Sequence, residues 1–513
     1  MQTDVVVIGS GIGGLSCGAL LARYGLDVVV CESHTIPGGA AHGFERSSFR
    51  FDSGPSLYSG LSYSPSPNPL RQVLDAIEED AEWLNYDTWG CCLPEGTFDT
   101  QVGAEQFCDV LNDLRGAAAI AEWRHLQTLM QPYGQAAIAL PPAALRFDWG
   151  ALQTVAPFAL PLLSHVTRIP DLTGPFSRLM DRAVTDPFIR NWLDLLCFLL
   201  SGLPATGTSA AEMAFMFADW YRPNVQLDYP VGGSAALVNA LVRGLQKYGG
   251  ELRLRAHVDE VLVSSDRATG VRLQNGETLQ ARRAVVSNAS VWDTLKLLPE
   301  KAVPRSFRQQ RQATPACDSF MHLHLGIDGT GLPETLACHH IVVNDWTLGI
   351  TAPQNVVLIS IPSRLDKSLA PPGKDTIHVY TPGNEPYAPW QGLDRRSDAY
   401  QQLKDKRAAV MWQALERVIP DIRDRVEVSL VGTPLTHERF LRRHRGSYGP
   451  AIAAGKALFP GPTTPLDGLL CCGDSTFPGI GLPAVAASGF TTANTLVPAR
   501  DQWRLMKAIN LGS

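Results

Sequence analysis

The chain has 513 residues, which is too long for one simple core, so two domains are expected. Its composition is that of a globular protein, with 45% hydrophobic and 18% charged residues. A net charge of −6 disfavours a polyanion-binding protein, and no nucleic-acid partner is expected.

The first predicted unit is a strand, a glycine loop, a helix and a second strand. The apolar, β-branched run DVVVIG (4–9) predicts a strand buried on both faces, and GSGIGG follows it at residues 9–14. Leucines at helical spacing come next, and a second buried strand ends at Glu32. This order is the context that a G-x-G-x-x-G dinucleotide fingerprint requires.

The residues of the fingerprint have separate roles. Gly9 allows the tight turn, Gly11 lets the backbone approach a pyrophosphate, and Gly14 allows close packing of helix on strand. The helix N-terminus offers N–H groups and positive dipole to the phosphates. Glu32 is positioned for a ribose diol and repels a 2′-phosphate, which favours FAD or NAD over NADP.

Two further glycines, Gly38 and Gly39, follow Glu32 closely. A second backbone approach there suits a longer cofactor extended along the domain, although an ordinary loop is equally compatible.

Residues 70–222 are predicted to be mostly helical, with Pro-rich apolar pieces such as APFALPLLSHV (156–166). A packed cap is the main interpretation of these pieces, and a membrane-dipping face or a tunnel for an apolar substrate stays open. The run 191–205 is too short for a spanning helix, which needs about 20 apolar residues.

The next segments predict a return to the first sheet and then a second one. A helix between glycine turns occupies 229–252, and an Asn-Gly turn joins a hairpin whose second arm ends in AVVSN (284–288). Strands of a separate sheet and one long helix, closed by Pro420, follow. His322 and His324 lie on one face of a strand, and without a third ligand at a defined spacing they are interpreted as structural or surface histidines.

The closing stretch repeats the opening order. A buried strand ends in Gly473-Asp474, a Gly/Pro loop follows, and a helix of small residues begins near Leu482 to Ala484. A carboxylate at the strand end can bind a ribityl or ribose hydroxyl, and a helix N-terminus can stabilise negative charge on a reduced flavin ring. The two ends of the chain are therefore predicted to hold the two halves of one cofactor.

These motifs resemble those of the FAD-dependent carotenoid isomerases (prolycopene isomerases) and the related phytoene-desaturase-type enzymes. The resemblance runs over nearly the whole chain. Its main pieces are DVVVIGSGIGGL, IPGGAAHGFERSSFRFDSGPS, YPVGGSAALVNALVRGL, AVVSNASVWDTLKLLP, VGTPLTHERFLRRHRGSYGPA and GDSTFPGIGLPAVAASGF.

The resemblance implies an α/β fold with a discontinuous Rossmann-type FAD-binding domain and a second domain of mixed β-sheet and helices. The FAD-binding domain is expected at 1–70, 225–300 and 430–500. The substrate-binding or helical cap domain is expected at 71–224 and 301–429.

The resemblance also implies the FAD site. Glu32 would bind the adenosine ribose, Val258 would meet the adenine region through its backbone, and Asp474 would bind the ribityl chain or pyrophosphate. The full set of expected cofactor-binding residues is Gly9, Gly11, Ile12, Gly13, Gly14, Glu32, Ser33, Gly38, Gly39, Val258, Asn288, Gly473, Asp474, Gly481, Leu482, Pro483, Ala484 and Val485. No general acid or base and no metal site is identified.

The resemblance predicts cis-to-trans isomerisation of a poly-cis carotenoid without net redox change, assisted by reduced FAD. The chain departs from the isomerase pattern at Ile480 and Pro483, so a desaturase or saturase of a carotenoid or other isoprenoid stays open. A non-catalytic flavin- or pigment-binding protein at a membrane surface is a third alternative. An amine oxidase shares the architecture, but Tyr448 and Phe477 are interpreted as packing residues rather than an amine cage.

A hydrophobic polyene or isoprenoid, a peripheral membrane contact and a quinone or other electron partner are the expected partners. The ten cysteines lack metal-site or disulfide spacing, and no signal peptide or transmembrane helix is predicted. The expected location is therefore the cytoplasm, peripherally on a membrane. The basic cluster 439–449 is interpreted as a solvated loop or as a contact for anionic lipid headgroups, the latter through Arg442 and Arg443.

Overall fold

The computed structural model describes residues 1–54 and 56–511. The strands in this part of the chain are β1 (Gln2–Ile8), β2 (Val28–Cys31), β3 (Gly43–Arg46), β4 (Phe49–Asp52), β5 (Tyr58–Ser59), β6 (Trp83–Tyr86), β7 (Thr88–Leu93), β8 (Gly96–Gln101), β9 (Leu227–Pro230), β10 (Glu251–Arg253), β11 (Val258–Ser264), β12 (Arg267–Leu273), β13 (Thr278–Ser287), β14 (His322–Asp328), β15 (His339–Val343), β16 (Val356–Ser360), β17 (Lys374–Tyr380), β18 (Val426–Gly432) and β19 (Leu469–Cys471).

The α-helices are α1 (Ile12–Arg23), α2 (Pro69–Ala76), α3 (Gln106–Arg115), α4 (Ala117–Ile138), α5 (Ala151–Val155), α6 (Ala159–His165), α7 (Ile169–Leu172), α8 (Ser177–Ala183), α9 (Pro187–Ser201), α10 (Ala210–Trp220), α11 (Ser234–Lys247), α12 (Val291–Lys296), α13 (Arg305–Gln312), α14 (Asp398–Glu416), α15 (Ile422–Arg425), α16 (Pro434–Leu441), α17 (Leu482–Thr495) and α18 (Ala499–Ala508).

The first sheet has a parallel centre in the order β10-β2-β1-β13-β19. Val5 and Val7 of β1 face one core with α1, α11 and α17, whereas Val6 and Ile8 face another core with the β11–β12 hairpin and α12. Because successive side chains of a strand point to opposite faces, a strand covered on both sides has to be apolar throughout. The predicted opening strand, helix and second strand are confirmed.

The return of the chain to this sheet is also confirmed. Asn275-Gly276 connects β12 to β13, and β13 pairs antiparallel with β12 along its first half and parallel with β1 and β19 along its second half. One long strand thus joins the hairpin to the parallel centre, so the AVVSN arm ends beside the glycine loop.

The second sheet has the order β18-β14-β17-β16-β15-β7-β8. One face packs against α14 through Leu323, Ile359 and Met411. Part of the other face, on β7, β15 and β16, packs against helices α3, α4 and α8–α10. The part on β14 and β17 bears the side chains of His322, His324 and His378.

The helical prediction for residues 70–222 misses β6, β7 and β8. The adjacent cysteines of β7 show why such a strand is difficult to predict from sequence. Cys91 faces the core with the helices, Cys92 faces the core with α14, and the strand is therefore apolar on both faces without alternation. All ten cysteines are free thiols, and nine of them are buried.

No helix among the described residues is long and apolar enough to cross a membrane. The prediction that the apolar pieces near residue 160 form a packed cap is contradicted by their exposure. Trp149, in the turn before α5, is 90% exposed, and Leu160 and Leu163 of the short helix α6 are 80% and 65% exposed.

Candidate cofactor and substrate cavity

A cavity of about 1240 Å³ lies between the two sheets. Its walls come from the first 70 residues, from the second sheet and from the last helices of the chain. Pockets for one small ligand span roughly 300–1,000 Å³. The cavity therefore has room for a cofactor together with a second, separate molecule.

The structure brings sixteen of the eighteen sequence-predicted residues together on the wall of this cavity. The two that do not line it are Gly14 and Ala484, each the third residue of a helix. The lining set is Gly9, Gly11, Ile12, Gly13, Glu32, Ser33, Gly38, Gly39, Val258, Asn288, Gly473, Asp474, Gly481, Leu482, Pro483 and Val485.

The glycine loop leaves room for nothing larger than hydrogen at several positions. A Cβ atom on Gly14 would overlap the Gly9 carbonyl oxygen, which explains how α1 comes so close to β1. Cβ atoms on Gly11 and Gly13 would lie 2.9 and 2.8 Å from the side-chain amide of Asn288. Asn288 follows β13, so the returning strand supplies a polar side chain directly against the loop.

Glu32 is held at the end of β2 by a set of donors. Its Oε2 accepts from the Ser10 N–H at 2.9 Å and from the Ser10 hydroxyl at 2.7 Å, and its Oε1 accepts from the His34 N–H at 2.8 Å. The side chain is buried but still lines the cavity. A carboxylate fixed in this way presents its remaining lone pairs to a ligand without losing further rotamer freedom.

Gly38 and Gly39 pack against the fingerprint loop. Gly38 forms a bridge with Gly11 and donates its N–H to the Ser10 carbonyl at 3.0 Å. A Cβ atom on Gly39 would lie 3.0 Å from the Gly11 Cα, and Gly38 and Gly39 both have positive φ. The two glycine segments thus form one continuous backbone surface, as an extended cofactor requires.

Asp474 is paired with Arg443, which was predicted to lie on the surface. The Arg443 guanidinium forms an ion pair with Asp474 and donates from Nη2 to the Tyr448 carbonyl at 2.8 Å. The side chain of Arg443 is only 18% exposed and lines the cavity, as does Arg442. The interpretation of Arg443 as a solvated or lipid-binding residue is therefore wrong, because its guanidinium pairs with Asp474 on the cavity wall.

The N-terminus of α17 points into the opposite part of the cavity. Its N-cap residue Gly481 has φ of 100°, and no side chain hydrogen-bonds to the cap. Leu482, Pro483 and Val485 of the first turn line the cavity. The positive end of the helix dipole is therefore directed at whatever occupies this end.

Beyond the α17 turn the cavity wall is apolar and aromatic. The side chains come from α9, α10, β16, β17 and the segments before β14 and after α16, and sequence patterns did not mark them as a group because these segments are separate in the sequence. They are Leu196, Leu199, Leu200, Phe215, Met216, Trp220, Phe320, Leu358, Tyr380 and Tyr448. Tyr448 was interpreted as a packing residue, but it lines the cavity and donates to the Leu199 carbonyl at 3.1 Å.

Buried histidines lie in the second sheet, where His322 lines the cavity and His324 and His378 pack beside it. The rings of His324 and His378 stack with centroids 4.2 Å apart, and His322 Nδ1 lies 3.0 Å from His378 Nε2. Burial lowers the pKa of His324 and of His437 to about 4, so both rings are neutral at pH 7. His322 and His324 share one face as predicted, and no group of metal-ligating side chains is found among the described residues.

The carboxyl group of Glu212 lines the apolar part of the cavity and was missed. Burial raises its pKa to about 7, and the Ser209 hydroxyl partly opposes that rise. The only sequence signal is S-A-A-E, in which Ser209 caps α10 by accepting from the Glu212 N–H at 3.2 Å. This pattern predicts a helix start rather than a residue in a cavity.

The polar groups on the cavity wall are those that a flavin dinucleotide requires. One end has a glycine backbone surface and a fixed carboxylate, and the other has an uncapped helix N-terminus. An acid for a ribose, backbone for a pyrophosphate and a positive dipole for a reduced ring are the groups such a cofactor needs.

Comparison with known proteins agrees with this geometry. The profile described as flavin containing amine oxidoreductase matches residues 12–497. The chain is 31% identical over 506 residues to "Prolycopene isomerase, chloroplastic" of Daucus carota, covering 96% of this chain and 80% of that protein. It is 25% identical to the neurosporene-forming phytoene desaturase of Rhodobacter capsulatus, covering 96% and 94%.

A solved structure of putrescine oxidase bound to putrescine superposes with a TM-score of 0.62 at 16% identity, covering 97% of this chain and 98% of the other. At that identity the likeness shows the fold alone.

Proposed function

This chain belongs to the family of flavin-containing amine oxidoreductases and is an FAD-dependent enzyme, and from that premise we propose that it isomerises a poly-cis carotenoid. The reaction would convert cis to trans double bonds without net redox change. The observation that carries the proposal is the 31% identity to a prolycopene isomerase over 96% of the chain.

The sixteen lining residues named above, with Gly14 and Ala484 behind them, are proposed to hold FAD. Glu32 would accept hydrogen bonds from the adenosine ribose, Val258 would contact the adenine region, and the backbone of the glycine loop would face the pyrophosphate. Asp474, oriented by Arg443, would face the ribityl chain. When bound and reduced, FAD supplies an electron-rich ring that stabilises positive charge on a neighbouring polyene.

The remaining cavity wall would bind the polyene. Its leucine, phenylalanine and tyrosine side chains, among them Leu199, Phe215 and Tyr448, offer apolar surface. Burying a long hydrocarbon there is favourable by roughly 25 cal/mol per Å² of apolar surface. The tight apolar wall would also exclude water from a transient cation.

A second candidate is a desaturase or saturase of a carotenoid or other isoprenoid. Ile480 and Pro483 depart from the isomerase pattern, and both line the cavity at the α17 turn. As a desaturase the enzyme would pass electrons to a quinone or another acceptor, which would be an additional partner.

Incubation with poly-cis lycopene in liposomes separates the candidates. The FAD-loaded protein is tested under reducing and oxidising conditions, and the products are analysed by chromatography and mass spectrometry. A product of unchanged mass and altered geometry, formed with reduced flavin only, supports the isomerase. A change of two hydrogens assigns the protein to the desaturases or saturases and refutes isomerisation without redox change.

The non-catalytic alternative is tested with Glu32→Arg. This charge reversal in the ribose site is expected to prevent FAD binding and to abolish conversion of the carotenoid. Retention of biological function by a variant that lacks FAD would favour a pigment-binding role instead.

A peripheral membrane contact is also proposed, and it rests on the exposed segment 147–169. Trp149, Leu152, Leu160 and Leu163 are each at least 65% exposed, and they lie on short helices or, for Trp149, in the turn before α5. Exposed apolar groups of this density mark interaction sites. Lipid is the proposed partner because a carotenoid substrate would reside in the bilayer.

A further inference from the structure

We propose that Glu212 is the proton donor for the isomerisation, protonating one carbon of the cis double bond and later taking a proton back from the same carbon. The inference rests on the proposed isomerase function and identifies a residue for it. It starts from the position of Glu212 on the cavity wall, which it shares with apolar side chains of α9 and α10.

The apolar side chains come from α9 and α10, which pack in one core through Leu196, Cys197 and Met213. Leu196 and Leu200 of α9 and Phe215 and Met216 of α10 line the same part of the cavity. Oε2 of Glu212 is buried and has no hydrogen-bond partner among the described residues. A buried carboxylate with one unpaired oxygen carries a high desolvation cost, which the Ser209 hydroxyl offsets only in part, and protonation removes that cost.

The N-terminus of α17, where the flavin ring is proposed to bind, lies beside Glu212. Gly481, the N-cap of α17, has the Leu200 carbonyl oxygen as its nearest neighbour, 4.0 Å from a Cβ atom placed there. Tyr448 donates to the Leu199 carbonyl at 3.1 Å, and the charge of Glu212 acts on the pKa of Tyr448. The end of α9 thus connects Glu212, Tyr448 and the α17 turn on one wall.

Neighbouring titratable groups do not provide a countercharge at neutral pH. Burial raises the pKa of Cys197 on α9 and of Tyr448, so both are neutral. The other titratable or charged side chains on the cavity wall near this end are Asp219, His322, His437, Tyr380 and the Arg443–Asp474 pair. With burial as the main cause, the pKa of Glu212 rises to about 7, and a large fraction of the group is the neutral acid at physiological pH.

The proton transfer is balanced without a redox partner. The O–H bond of Glu212 breaks as the π pair of the cis double bond forms a new C–H bond, and the adjacent carbon becomes a cation delocalised along the polyene. The former double bond is now single and rotates. The Glu212 carboxylate then removes a proton from the protonated carbon, and that C–H pair re-forms the double bond in the trans geometry. Aromatic faces such as those of Tyr380 and Tyr448 stabilise a nearby cation.

The test is isomerisation of poly-cis lycopene in D₂O by the FAD-loaded, reduced protein. The wild-type product is expected to contain deuterium, and Glu212→Gln is expected to lower the rate at least about 100-fold, as loss of a general acid does. Glu212→Asp is expected to recover part of the rate and the deuterium incorporation. Glu105→Gln, an exposed carboxylate paired with Arg124 outside the cavity, is the matched control.

Two results would overturn the inference. One is an isomerised wild-type product without deuterium, and the other is Glu212→Gln with the wild-type rate. An infrared titration, independent of turnover, follows the carboxylic-acid carbonyl band that disappears in Glu212→Gln. A band that persists to about pH 7 supports a neutral Glu212, and one already lost near pH 5 refutes it. If the wild type converts nothing, the proposed function fails while the infrared result still decides the protonation of Glu212.

Discussion

The carboxylate of Glu32 provides the sharpest test of the cofactor site at the scale of one residue. We expect Glu32→Gln to weaken FAD binding about 10- to 100-fold, because hydrogen bonds to a charged group contribute roughly 1.5–3 kcal/mol. The glutamine amide also has one acceptor oxygen fewer than the carboxylate, whose two oxygens accept from the Ser10 and His34 N–H groups. Titration of the apoprotein with FAD, followed by flavin fluorescence, measures the effect.

Glu45→Gln is the control for this change, since Glu45 is exposed and pairs with Arg50 on the surface. An unchanged dissociation constant for Glu32→Gln would contradict the assignment of the ribose site.

The buried acid Glu212 also predicts a pH-dependent stability. Its pKa in the folded protein, about 7, lies above the ordinary value of 4.5, so its contribution to stability is complete below pH 4.5 and is lost as pH rises through 7. Glu212→Gln removes this loss. We expect the variant to unfold a few degrees above the wild type at pH 8, an effect of about 1–3 kcal/mol, and to match it at pH 4.

Thermal unfolding of the FAD-loaded proteins at both pH values measures this effect. A variant with the same stability difference at pH 8 and pH 4 would show that Glu212 is not titrating.

At the scale of secondary-structure elements, the contact between α1 and α17 joins the two halves of the proposed cofactor site. A Cβ atom on Gly489 of α17 would lie 2.8 Å from the Gly13 carbonyl oxygen and 3.0 Å from the Cys17 nitrogen. We expect Gly489→Ala to lower stability and FAD occupancy together, because overpacking costs about 1–3 kcal/mol and exceeds the roughly 1 kcal/mol gained in helix propensity.

Gly134→Ala is the matched control in α4, a helix that does not line the cavity. The added Cβ would lie 3.1 Å from the Ala218 Cβ, so a smaller loss of stability and unchanged FAD occupancy are expected. Absorbance of the bound flavin and thermal unfolding measure both effects. Full FAD occupancy in Gly489→Ala would contradict the idea that this helix contact shapes the site.

Elements with a local signal were predictable from the sequence. The glycine loop, the Asn-Gly hairpin and the helix that begins at Leu482 each depend on a few neighbouring residues. β7 was missed because it is buried on both faces, so its residues do not alternate. The exposure of the segment around Leu160 was missed because burial depends on neighbours from other parts of the chain.

The same distinction holds for the cavity. Residues next to a glycine motif, such as Glu32 and Gly481, could be chosen from sequence. Glu212, Tyr448 and the inward-facing Arg443 could not, because each acquires its environment from segments far away in sequence.

At the scale of the whole molecule, the segment 147–169 predicts lipid binding. We expect the combined change of Leu152, Leu160 and Leu163 to serine to weaken binding to lipid vesicles at least about tenfold, because each inserted leucine contributes roughly 1.5–3 kcal/mol. Co-sedimentation with vesicles measures it.

Leu348→Ser, at an equally exposed leucine outside the segment, is the control and should bind as the wild type does. Equal binding by the triple variant would exclude this segment as the membrane contact.

Gly9 and Gly481 line the same cavity although most of the chain separates them. This separation has a consequence for biosynthesis. A ribosome that adds roughly 5–20 residues per second needs about 25–95 s to pass from the first glycine to the second. During that time α1 lacks α17, and β13, once synthesised, lacks β19, so apolar residues of both stay uncovered in the nascent chain. FAD can be captured only when synthesis is nearly finished, so nascent chains that stop before α17 should depend on chaperones and carry no flavin.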